Sequence, residues 1–115
     1  MASDTPGQAQ FFYNIGRGFG ESDSVRAPVA AGAALSPVRF LLPTGDYTQL
    51  RFDPIDHPAH LQLRNARITT LGGEVVHRFS PTDFTALHEI ESIKVDQGGL
   101  TIATAPNGAE IALRY

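Results

Sequence analysis

Residues 11–24 read FFYNIGRGFGESDS, and the reading of that stretch decides the fold. A bulky apolar run feeds three glycines at alternate positions, Gly16, Gly18 and Gly20. If this were a phosphate-cradling loop, the chain would be an α/β nucleotide binder. A dinucleotide fingerprint is G-x-G-x-x-G, opening a helix whose N-terminus holds pyrophosphate. Here position 21 is Glu21, so the spacing fails by one residue. The next residues, ESDSVRAPVAAG, have no helical apolar stripe, and Pro28 interrupts them. A P-loop needs Gly-Lys-Ser/Thr, and the single lysine is the distant Lys94. The Glu21 carboxylate would also repel phosphate. The stretch therefore reads as a first strand and a long loop. Its glycines are expected to supply positive φ and to let backbone pass closely over Phe19, which folds back onto the sheet.

With the phosphate loop removed, the chain reads as strands. Residues 8–15 are the first, and 25–31 a weaker second. In residues 37–43, PVRFLLP, Val38, Phe40 and Leu42 share one face, as the two-residue strand period requires. Residues 49–53 place Leu50 and Phe52 on one side, Arg51 and Asp53 on the other. Leu61 and Leu63 have the opposite parity to Ala66 and Ile68, which predicts a β-bulge near Arg64 and Asn65. Gly72-Gly73, between RITTL and EVVHRF, is a two-residue hairpin signal. One short helix is expected in SPTDFTALHEI: Ser80 caps, Pro81 takes the first helical position, and Asp83 completes a capping box. Phe84, Leu87 and Ile90 come next at helical spacing. Strands at 92–96, 100–104 and 110–115 close the chain. Many short strands with frequent turns predict an all-β fold, an antiparallel β-sandwich of jelly-roll-like form with that one short helix.

Bulk properties agree with a single domain. Of 115 residues, 42% are apolar and 18% charged, which excludes a disordered tail or a coiled coil,. Residues 1–7 are small and polar and are expected to be a flexible tail, leaving 8–115 as one β-sandwich module. Nine basic side chains against twelve acidic ones give a net charge of −3. The basic residues are scattered, so nucleic acid is not an expected partner. No cysteine is present, which excludes disulfide frameworks, thiol nucleophiles and sulfur-ligated zinc. The N-terminus lacks a secretory pattern, and no apolar run is long enough to span a bilayer. The expectation is a cytoplasmic chain without membrane insertion, or a module cut from a longer protein.

Candidate chemistry is sparse. His57 and His60 form H-x-x-H, but Pro58 keeps them off a helix, and zinc needs further ligands. Asp53 and Asp56, in FDPID, are the pair expected to hold calcium if any residues do, since hard cations collect loop carboxylates. No G-x-S-x-G elbow anchors an acyl-transfer triad, and a small sandwich lacks the cleft that two-carboxylate glycoside hydrolysis needs. No enzymatic activity is expected. Most of the aromatics must fill a core that has no tryptophan,. Phe11 and Tyr13 share a strand face, and Phe12 takes the other. Rim tyrosines stack on sugar faces while amide and guanidinium groups bond hydroxyls. Tyr13, Asn14, Arg17, Tyr47 and Arg51 are the candidate carbohydrate-binding set.

Four segments taken together, AQFFYNIGRGFGESDSV, VRFLLP, LRFDPIDHPAHLQLRNARI and LHEIESIKV, carry a resemblance. They resemble a small β-sandwich module attached to bacterial glycosyltransferases of O-antigen and other cell-surface polysaccharide assembly. The matching residues are Gln10, Phe12, Gly16, Gly18, Phe19, Glu21 and Ser24, then Arg39, Phe40, Leu42 and Pro43, then Leu50, Arg51, Asp53 and Pro54. The resemblance implies a non-catalytic accessory domain, similar in build to jelly-roll carbohydrate-binding modules. Its implied partner is carbohydrate or the glycosyltransferase domain. The competing expectation is a structural or oligomerisation module, a homodimer, that binds no sugar.

Overall fold

The computed structural model describes residues 1–114. Strands β1 (Ala2–Ser3), β2 (Gly7–Asn14), β3 (Ser24–Val29), β4 (Gln49–Asp53), β5 (His60–Arg64), β6 (Arg67–Thr69), β7 (Val75–Arg78), β8 (Phe84–His88), β9 (Ile90–Asp96), β10 (Gly99–Thr104) and β11 (Glu110–Leu113) succeed one another in chain order. They form a four-stranded sheet, β1-β5-β10-β9, a five-stranded sheet, β3-β2-β4-β11-β8, and a separate β6-β7 hairpin, with every pairing antiparallel. The chain passes directly between the two larger sheets at β1–β2, β4–β5, β8–β9 and β10–β11, the winding of a jelly-roll-like sandwich,.

Period-two alternation builds the core. On β2 and β4, Phe11, Tyr13, Leu50 and Phe52 point between the sheets and join Leu61, Leu100, Ile102 and Ile111 in one cluster. Ile102 and Ile111 are fully buried, and each such aliphatic side chain contributes roughly 1.5–3 kcal/mol. Phe12, of opposite parity, is buried on the outer face and lies outside that cluster.

Four local expectations change. Residues 1–7 do not stand apart as a tail. Ala2 and Ser3 are buried and pair with Gln62 and Leu61 of β5. Asp4 reinforces this join, its Oδ1 accepting the His60 amide at 2.8 Å. Residues 37–43 form no ladder, because Pro37 and Pro43 lack amide donors,. Their facing nevertheless agrees with the alternation: Val38, Phe40 and Leu42 pack half-buried against the core, with the Phe40 ring 5.5 Å from Phe11.

The capping box at Ser80 and Asp83 is present, but it closes only a single 3-10 turn, Pro81–Asp83. The chain then extends as β8 because β11 offers a strand to pair with, and pairing outweighs local helical spacing,. Finally, no bulge reconciles Leu63 with Ile68. Asn65 takes positive φ of 57° and turns the chain out of the sheet into the β6-β7 hairpin. That hairpin turns at Leu71–Gly73, in agreement with the glycine pair. The expected end of the last strand, Tyr115, lies outside the described residues.

Candidate functional site

The outer face of the five-stranded sheet is polar and closely paired. In register with Phe12 stands Arg51, and with Gln10 stands Asp53. The Arg51 guanidinium lies over the Phe12 ring at 4.0 Å and reaches the Phe19 ring at 5.4 Å. Its Nε and Nη2 each donate to one Asp53 oxygen at 2.9 Å, and Nη1 stands 3.7 Å from Glu110 Oε2. Arg51 and Asp53 are both largely covered, with 17% and 19% of their side chains exposed. Burial pushes the Asp53 carboxyl above the usual aspartate range; Arg51 pulls it back, and Glu110 and Glu21 push it further up. Beyond Asp53, the Gln10 amide donates to Glu21 Oε2 and Ser24 Oγ, both at 2.8 Å.

The glycine loop caps this face. Asn14 Oδ1 accepts the amides of Gly16 and Gly18, each at 2.9 Å. Those glycines have φ of 114° and 82°, which side chains other than glycine rarely adopt,. Close backbone approach is not the reason for them, since a Cβ at 16, 18 or 20 would meet nothing within 4 Å. Arg17 closes the loop with two bonds to Asp23, at 2.7 and 2.6 Å, which hold the Asp23 carboxyl below its usual range. Phe19 folds back as expected, yet onto the outer face: its ring meets Phe12 edge-on at 6.4 Å.

The five candidate carbohydrate residues are divided between the two faces of the five-stranded sheet and the glycine loop. Tyr13 is buried on the core side, its ring 5.4 Å from that of Tyr47. Asn14 and Arg17 organise the loop, and Arg51 stacks on Phe12 and reaches Phe19. What does converge is a shallow cavity of about 160 Å³, lined by Gln8, Gln10, Asp53, Ile55, Asp56, Gly108 and Ala109. Ile55 and Ala109 are buried and form its apolar floor. Gln8 and Gln10 are absent from the sequence-based candidates. The signal for them is Q-A-Q at the start of β2, where buried Ala9 leaves both glutamines facing outward.

Gly7 makes this junction, for a Cβ there would lie 2.6 Å from His57 Cε1 and 2.7 Å from Asp56 Oδ1. Asp56 Oδ1 accepts the Gln8 backbone N–H at 3.1 Å and faces His57 Nδ1 at 3.0 Å. The Gln8 amide is the main reason the Asp56 carboxyl sits below its usual range. His57 Nε2 lies 2.9 Å from Thr5 Oγ1, so this row ties the N-terminal segment to the turn after β4. Among the described residues, no three His, Asp or Glu side chains gather to hold a metal ion, so Asp53 and Asp56 stand without a third such ligand. No described helix is long and apolar enough to cross a membrane.

Fold and face together define a small all-β, sandwich-like protein with a polar outer face. No known protein family, curated protein or solved structure matches the chain.

Proposed function

We propose that this chain is a non-catalytic carbohydrate-binding module acting beside a bacterial cell-surface polysaccharide glycosyltransferase. The observation that carries the reading is the cavity between β2 and the turn after β4. Two side-chain amides and two carboxylates surround a buried aliphatic floor there. Amides and carboxylates bond adjacent hydroxyls, and an aliphatic floor suits the C–H face of a sugar ring. The accessory role draws its support from the sequence resemblance. Affinity is modest, because a shallow site covers little of its ligand. The competing oligomerisation role loses support at both exposed sheet edges on the β8–β9 side. β8 skips register at Leu87, and β9 skips at Glu91 and carries Lys94. Bulges and lysines blunt strand edges against self-pairing.

Titrating the ¹⁵N-labelled chain with neutral surface-polysaccharide oligosaccharides tests this. Shifts are expected at the Gln8 and Gln10 side-chain amides and the Gly108 and Ala109 backbone amides at millimolar sugar. Gln8→Ala should weaken binding about fivefold, one hydrogen bond's worth, at unchanged thermal stability. The reading fails if those signals stay still.

A further inference from the structure

The β6-β7 hairpin bears an arrangement that folding alone does not ask for. Arg67 and Arg78 stand directly opposite each other in its register. Both are exposed, and like charges directly opposite on one sheet face destabilise a pair,. Among the described residues, no carboxylate lies in ion-pair range of either. The other charged arginines of the sheets differ, since Arg26, Arg51 and Arg64 each have an acidic partner.

The two guanidiniums are instead held by one residue. Arg67 Nη1 donates to the Asn65 backbone oxygen at 2.9 Å, and Arg78 Nη1 to Asn65 Oδ1 at 3.3 Å. Asn65 is fixed in turn by its positive φ at the corner where the hairpin leaves β5. One anchor therefore holds two guanidinium groups at the hairpin base, each with donors left over. Thr69 and Val76 are also exposed, and Val76 shares the side of Arg78; the register shifts after Ile68, so that Thr69 stands opposite Val75, while Ile68 packs against the core. This side combines two cationic forks and an apolar patch, in a chain whose net charge is −3.

We infer that the solvent-facing side of the β6-β7 hairpin is an anion-binding site for a carboxylate or phosphate group carried on a glycan. Guanidinium forks match the paired oxygens of both groups, and Val76 offers an apolar contact to the ring that carries them. The inference rests on the proposed carbohydrate role only for the carrier. The site lies on the hairpin, apart from the β2–β4 cavity.

The test monitors the Arg67 and Arg78 Nε–Hε resonances during titration with oligogalacturonate, with inorganic phosphate, and with a neutral maltooligosaccharide. Oligogalacturonate is expected to shift both resonances with binding that weakens as salt rises, and phosphate to compete. The neutral sugar should leave them unmoved. Arg67→Ala and Arg78→Ala should each weaken binding about tenfold or more. Arg→Lys should not restore it, because an ammonium lacks the fork. Neither alanine variant should lower the thermal midpoint, because each relieves a like-charge pair.

Shifts with phosphate alone would support the anion site and overturn a carboxylate-bearing glycan as its carrier. Equal shifts with the neutral sugar, no shifts with either anion, or undiminished binding in the double alanine variant would overturn the inference. Hairpin shifts without movement at Gln8 or Gln10 would keep this inference and sink the cavity reading; the reverse pattern would do the opposite.

Discussion

Two parts of this sandwich are built to different standards. β2, β4, β10 and β11 hold the aliphatic and aromatic core, and most of their inward side chains are buried. The stretch from β5 to the turn before β10 is different: of the described residues 62–98, none is fully buried. That stretch includes β6, β7, β8 and β9. Ile68, Phe79, Phe84, Ile90 and Ile93 touch the core from it, but only partly covered. Leu71 at the hairpin tip is 93% exposed, and Val95 is 59% exposed. A strand can thus be regular in backbone and still contribute little burial. Burial, and with it most of the stability, is concentrated in the first part, while the second opens at lower local cost.

The largest expected effect separates them directly. Ile102→Ala removes a fully buried side chain from the middle of β10 and should cost about 2–5 kcal/mol in denaturant unfolding. Val95→Ala, one strand away in β9, should stay within about 0.5 kcal/mol. Amide exchange should rank the same way, slow in β4, β10 and β11 and fast in the β6-β7 hairpin. Equal costs for the two substitutions would break the comparison and show that the exposed strands are covered in solution.

The sequence displays the buried part more fully than the exposed one, for physical reasons. Phe11, Tyr13, Leu50 and Phe52 announce their facing through strict alternation, which is local information. The Gly72-Gly73 turn is local too, and it sets the register that brings Arg67 and Arg78 together, since they lie on either side of it at nearly equal distance. What needs the fold is pairing at a distance. β1 is two residues long and has meaning only beside β5. Residues 84–88 carry helical spacing and become a strand because β11 lies alongside. Residues 37–43 have the right alternation and the wrong prolines for a ladder. The cavity joins β2, the turn after β4 and the loop before β11, so its glutamines are readable as outward-facing but not as neighbours of Asp56, Gly108 and Ala109. The tyrosines mislead because Tyr13 and Tyr47 pack against each other on the core side.

Phe19 sharpens the comparison by adding a third kind of surface, a lid outside the core. It is half-buried, edge-on to Phe12 and over Arg51. Phe19→Ala should therefore cost about 1–2.5 kcal/mol: an aromatic pair contributes about 0.5–1.5 and a cation–π contact at this longer distance about 0.5–1,. This is less than the roughly 3–5 kcal/mol of a core phenylalanine. Wild-type stability in the variant would mean that the loop moves freely and leaves Arg51 open. A core-sized loss would mean that the outer face is as tightly built as the inner one.

The smallest effect concerns the opposite edge, where polar contacts of Asp4 add to the pairing of β1 with β5. The amide and ring of His60 hold the Asp4 carboxyl below its usual range. The Gln8 amide does the same for Asp56, the Ser80 amide for Asp83, and Arg17 for Asp23. A carboxylate with a lowered folded pKa contributes stability that is fully present above its unfolded value of about 3.9 and is lost as pH falls through the folded value. Asp53 has the opposite sign. Its raised pKa means that its ionisation costs stability as pH rises through the folded value, so protonating it in acid offsets part of the loss,. Four lowered groups against one raised group predict a net fall in thermal midpoint below about pH 4, read by circular dichroism,. Asp4→Asn should make that fall shallower and speed exchange of the His60 amide, whose acceptor is Asp4 Oδ1. An unchanged pH profile in Asp4→Asn would show that the β1 edge is held by its two buried residues alone, and would make this edge more like the core than like the hairpin.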